Sequence, residues 1–73
     1  METYLRVLFD SEGAPPSEVA DRLRSCGFAA THGNYDFVYD WSGSAKREQI
    51  LDLSDELTRQ LRGLKVLFEI ETV

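Results

Sequence analysis

Cysteine and histidine occur once each, as Cys26 and His32, and that scarcity removes several kinds of protein at the outset. A lone thiol closes no disulfide within the chain. One thiol with one imidazole falls short of the four ligands of a structural zinc site. Long apolar runs are missing too. No stretch approaches the ~20 apolar residues of a membrane span. The start, "METYLRVLFD", carries an acid at position 2 and lacks the apolar core of a signal peptide. Basic residues are few, with 8 Lys and Arg against 13 Asp and Glu, a net charge of −5. Nucleic-acid binding works by neutralising phosphates, so an acidic chain is poorly suited to it. No Ser-His-Asp arrangement and no phosphate-cradling glycine loop can be drawn from the residue order. No catalytic residue, metal ligand or cofactor is therefore expected, and a non-enzymatic role is favoured. These 73 residues form one domain, 1–73, expected to be cytoplasmic and near the smallest size that folds on apolar burial alone.

What is present is clear periodicity. "TYLRVLFD" alternates Leu5, Val7 and Phe9 against Tyr4, Arg6 and Leu8, which predicts a strand. "SEGAPP" breaks it, and Pro15 or Pro16 suits a first helical turn. A helix to about Cys26 follows, with Val19, Leu23 and Cys26 on one stripe and Gly27 as its left-handed cap. "FAATHGNYDFVYDW" predicts a hairpin turning at Gly33-Asn34, with His32 opposite Tyr35, Ala30 opposite Phe37 and Phe28 opposite Tyr39. Ser44 suits the N-cap of a second helix over about 45–62. Its stripe is Ile50, Leu53, Leu57 and Leu61, Asp55–Arg59 forms a favourable ion pair, and Gly63 ends it. "LKVLFEIETV" predicts a last strand with Leu64, Val66, Phe68 and Ile70 on one face.

The order β-α-β-β-α-β resembles the ferredoxin-like fold over the whole chain. The resemblance implies an α+β, two-layer βαββαβ domain, its antiparallel sheet ordered 4-1-3-2 with both helices on one face. Such a layout argues fold and not function. Strand faces are then set by cost. Turning Asp36 and Asp40 inward would bury two carboxylates without partners, at several kcal/mol each. It would also leave the rings of Tyr35, Phe37, Tyr39 and Trp41 in water, forfeiting roughly 1.5–3 kcal/mol per large side chain. All four rings are expected to face the helices, with Tyr35 and Trp41 partly covered.

"GNYDFVYD" is similar to an RNA-binding strand motif of the RRM family, which reads roughly K/R-G-F/Y-G/A-F-V-x-F/Y. Tyr35, Phe37 and Val38 match. The basic opening residue is absent, Asp36 replaces a small residue and Asp40 replaces the last aromatic. RNA binding is thus an alternative that the inward rings and the acidic open face argue against. The open face instead carries Tyr4, Leu8, Val38 and Leu67, an apolar component of the kind that marks a partner surface. Arg6 and Lys65 stand among acids there and are suited to setting register. Tyr4, Arg6, Leu8, Val38 and Leu67 are the expected interface of a homo-oligomer or of a complex with a protein partner.

Asp10 to Phe28 resembles the first half of an ACT-type regulatory domain, with Asp10 and Gly13 in the loop and Val19, Leu23 and Gly27 at the helix. The resemblance implies pairing through sheet edges or faces, and a small effector bound beside Asp10 and Gly13. The Gly13–Val19 spacing is about one residue longer than usual for that family, and its Asn after the last glycine is missing. Phe9-Asp10 also resembles the strand-ending aspartate of CRISPR-associated endoribonucleases. With Asp36 expected nearby, that implies a metal-dependent nuclease as the enzymatic alternative. Copper-chaperone relatives of the fold need two cysteines in the first loop, and "SEGAPPS" has none. His32 reads as a rim residue and Cys26 as a packed one.

Overall fold

The computed structural model describes residues 1–73. In chain order they form β1 (Glu2–Leu8), α1 (Pro16–Ser25), β2 (Ala29–Ala30), β3 (Phe37–Asp40), α2 (Arg47–Leu61) and β4 (Leu67–Thr72). The strands make one antiparallel sheet ordered β2-β3-β1-β4, the expected 4-1-3-2 read from the other side. The arrangement is compatible with the ferredoxin-like layout. Both helices bury their stripes in one cluster with the inward residues of the sheet. Val19 and Leu23 come from α1, Leu53, Leu57 and Leu61 from α2, and Leu5, Val7 and Phe37 from β1 and β3. No helix is long and apolar enough to cross a membrane.

Helix α1 begins with Pro16, where a missing N–H costs nothing. It ends as expected at Gly27, whose φ of +98° lies in the left-handed region. There the Gly27 N–H bonds the Arg24 carbonyl and the Phe28 N–H reaches back to Leu23, closing a Schellman cap. Helix α2 starts later than expected, because Ser42 (φ 56°) and Gly43 (φ 144°) turn the chain first. Ser44 therefore caps nothing. Lys46 holds the N-cap position, and its N–H donates to the Gln49 side chain at 2.7 Å. Arg59 pairs with Glu56 at 3.0 Å and not with Asp55, since Glu56 also accepts from Gln60 and stands fixed between the two donors.

Both outer ends of the sheet are shorter than the alternation suggests. Strand β1 stops at Leu8, and Phe9, expected inward, is 47% exposed. The stop is made by Asp10, whose carboxylate accepts the Glu12 N–H at 2.8 Å while its carbonyl accepts from Gly13. Strand β4 starts three residues after Leu64, because Lys65 sits at φ 56° and breaks the extension. Leu64 is nevertheless buried, and its carbonyl takes the Ala14 N–H at 3.0 Å. A Cβ on Gly13 would lie 2.5 Å from that carbonyl oxygen, so only glycine lets the first loop close there.

Three of the four alternating rings face the helices as expected. Phe37 is in the core, Tyr39 packs edge-on to Phe28 at 5.5 Å, and Trp41 lies 4.7 Å from Tyr39. The Trp41 N–H donates to the buried Thr3 hydroxyl at 2.9 Å, which in turn shares a 2.8 Å bond with Thr72. That chain ties β3, β1 and β4 together beneath the helices.

Tyr35 does the opposite of what its position in the alternation implies and stands on the open face. The hairpin register is as expected, with Ala30 opposite Phe37 and the Thr31 N–H on the Asp36 carbonyl. On the β1 side, however, the Asp36 N–H bonds the Leu5 carbonyl at 2.9 Å, although Leu5 pairs with Phe37. Two successive residues therefore oppose one, as in a β-bulge, and every side chain before the bulge changes face. The Asp36 carboxylate completes the bulge by accepting the Val7 N–H at 2.9 Å, which leaves that buried donor satisfied.

Candidate interaction surface on the open sheet face

The face away from the helices is built by the even-numbered residues of β1 and β3 and the odd-numbered residues of β4. Register sets the neighbours: Tyr4 lies between Val38 and Glu71, Arg6 is opposite Glu69, and Leu8 is opposite Leu67. The five residues expected at an interface all stand here, but they divide into two environments.

One half is an aromatic and ionic cluster organised by Tyr35. Its ring packs on Tyr4 at 5.1 Å between centroids, and the Arg6 guanidinium carbon lies 5.2 Å from the Tyr35 ring centre. Arg6 also donates through Nε and Nη2 to the Asn34 carbonyl at 3.0 and 2.8 Å, and Nη1 is 3.8 Å from Glu69. The Tyr35 hydroxyl donates to the Glu71 carboxylate. That bond is the main reason the phenol titrates above its ordinary value, with slight burial and the Glu71 charge acting the same way and Arg6 opposing them. The hairpin tip is thus clipped across β1 onto β4, through the Asn34 carbonyl and the Tyr35 hydroxyl. From the sequence Tyr35 is expected toward the helices and Asn34 in a turn, and neither on this face, because one inserted residue in a ladder leaves no periodic signature. The only available hint was Asp36 itself, an acid able to take a backbone N–H.

The other half is apolar and open. Leu8 is 58% exposed and Leu67 71%, directly across from each other at the corner where β1 and β4 begin to diverge. With Arg6, Phe68 and Glu69 they line a hollow of about 290 Å³. Val38 sits half-buried beside Tyr4, away from this corner.

The loop singled out for an effector is folded on itself. The Asp10 carboxylate holds its own turn, and Gly13 is pressed against Leu64 and Lys65. Asp10 and Asp36 serve separate backbone donors, and no group of three or more metal-ligating side chains forms. His32 is exposed on the hairpin loop. Cys26 is partly buried against the core, and burial first, then the charge of Glu56, pushes its thiol up. No family model matches the chain, and neither a curated protein nor a solved structure matches it.

Proposed function

We propose that this chain is a small, non-enzymatic interaction domain of ferredoxin-like build, which associates with a protein surface through the β1–β4 side of its open face. The observation that carries the reading is the Leu8–Leu67 pair: two large apolar side chains, adjacent across the ladder and more than half exposed. Covering such surface returns roughly 25 cal/mol per Å², and the neighbouring Arg6–Glu69 pair supplies a polar rim. The alternatives draw less support. A nuclease at Asp10 needs a carboxylate free to hold metal, and this one already holds its loop. RNA reading needs open ring faces, whereas Tyr4 and Tyr35 stack on each other beside Glu69 and Glu71. A small effector beside Asp10 and Gly13 is a narrower version of the reading, and the packing of Gly13 on Leu64 leaves it little room.

The test is a concentration series followed by methyl NMR and sedimentation equilibrium. The Leu8 and Leu67 methyl signals are expected to move as association proceeds. Leu67→Ser should weaken association without lowering the unfolding midpoint. A chain that stays monomeric at high concentration, with both signals unmoved there and on titration with cell lysate, would refute the reading.

A further inference from the structure

The sheet has two edges of very different character. Strand β2 is only two residues long and offers almost no ladder, while β4 presents six residues paired without interruption to β1. Which β4 groups are free follows from one pair. Glu2 and Val73 exchange both backbone bonds, at 2.9 Å each. Antiparallel ladders repeat this every second residue, so Glu71, Glu69 and Leu67 also bond β1. The N–H and C=O groups of Phe68, Ile70 and Thr72 therefore point away from the sheet, and neither proline nor bulge interrupts them. The two faces beside this edge differ in chemistry. On the helix side, between the end of α2 and the start of β4, lies a groove of about 340 Å³ whose apolar lining is Leu61, Val66 and Phe68. On the open side the strands carry the acids Glu2, Asp40, Glu69 and Glu71 against a single base, Arg6.

Resting on the reading above, we propose that the partner is a different protein that contributes an extended basic segment, added antiparallel to the outer edge of β4. Charge selects this occupant over a second copy. Residues 67–72 contain two acids and no base, and Lys65 lies outside the strand at φ 56°, so β4 against β4 would gather like charge along the seam. A chain of net charge −5 favours a basic partner as well. Geometry then fixes the pattern the segment must carry. Its backbone pairs with the free groups of Phe68, Ile70 and Thr72, the mode of β-strand addition. Glu69 and Glu71 consequently fall in the non-hydrogen-bonded pairs, where opposing side chains stand closest. Glu69 meets Arg6 at 3.8 Å and Glu71 gives one oxygen to Tyr35, so each carboxylate keeps room for a lysine or arginine. The residues opposite Ile70 and Phe68 emerge on the helix side beside the groove and are apolar. The residue opposite Leu67 covers that exposed leucine. Read from Glu71 toward Leu67, the segment is basic, apolar, basic, apolar, apolar.

The probe is a capped peptide, threonine-lysine-valine-lysine-valine-valine-threonine, titrated into the full chain. It should slow hydrogen exchange at the Phe68 and Ile70 amides, which are fast in the free protein, and shift the Leu67 methyl signals. Replacing both lysines by glutamate should weaken binding roughly tenfold or more, because two attractive pairs become repulsive. Replacing only the second lysine by glutamate should give a peptide that prefers the Glu69→Lys variant over the parent by about fivefold, which fixes the register. If the Leu8 and Leu67 signals respond to concentration or to cell lysate but the lysine peptide leaves those amides fast, or the lysine and glutamate peptides bind alike, this inference falls while the broader reading stands. If those signals move with neither concentration, lysate nor peptide, both fall.

Discussion

Replacing Phe37 by Ala separates a ring that holds the fold from a ring that only dresses its surface. Phe37 is 8% exposed and lies in the core among residues of both helices and β1. Truncating such a phenylalanine costs about 3–5 kcal/mol. A 73-residue domain at ~0.05–0.15 kcal/mol per residue holds about 4–11 kcal/mol in all. Phe37→Ala should therefore remove about a quarter or more of the stability, and at the bottom of that range leave a large fraction of the chain unfolded. Tyr35, two positions earlier in the same alternation, is on the open face, so Tyr35→Ala should leave the urea midpoint near that of the parent. Urea unfolding followed by fluorescence of Trp41, the sole tryptophan, reads both variants, since that indole packs on Tyr39 and bonds Thr3. If Phe37→Ala is as mild as Tyr35→Ala, or Tyr35→Ala as damaging as Phe37→Ala, the bulge at Asp36 is not where it is placed here and the faces of β3 must be reassigned.

Other substitutions probe the remaining devices. Asp36→Ala strands the N–H of buried Val7 and should cost about 1–2 kcal/mol, whereas Asp36→Asn, which keeps an acceptor oxygen, should cost less by the same urea assay. Gly27→Ala places a methyl 2.8 Å from the Tyr39 ring at a φ of +98°, so a drop in thermal midpoint corresponding to more than about 1 kcal/mol is expected. The Tyr35 phenol should ionise above its ordinary pKa of 10.0 in an ultraviolet pH titration, and Glu71→Gln should bring it down. Because its folded-state pKa is the raised one, the contribution of this bond is fully present at neutral pH. It is lost only as alkaline pH rises through the folded value.

Element positions were legible wherever one residue type dominated a local choice. Pro16 and Gly27 bound α1, and Val19 with Leu23 mark its buried stripe, because ring closure and a missing Cβ act on the backbone directly. The pairing of Ala30 with Phe37 was legible from the Gly33-Asn34 turn, since a short connection leaves few registers. Capping was read less well: Ser44 is a better cap than Lys46 by propensity, yet the path from β3 across to α2 put Lys46 at the helix start. Of the proposed interface, Tyr4, Arg6, Leu8, Val38 and Leu67 could be placed on one face by alternation within the expected layout. Their division into a clipped aromatic half and an open apolar corner could not, because Tyr35 belongs to the first half only through the bulge.

The chain's own residue order determined which segments are helix or strand and, Tyr35 and Phe9 apart, which leucines and rings make the core, because burying apolar surface at a fixed period leaves little choice. The strand order came from the resemblance of the β-α-β-β-α-β layout to a known fold. Tertiary structure alone decided that Asp36 gives its carboxylate to Val7, that Tyr35 crosses to the open face, and that the outward groups of β4 lie free beside an apolar groove. Those outcomes depend on where one strand's backbone meets another's, and hydrogen bonds between distant residues have no period along the chain.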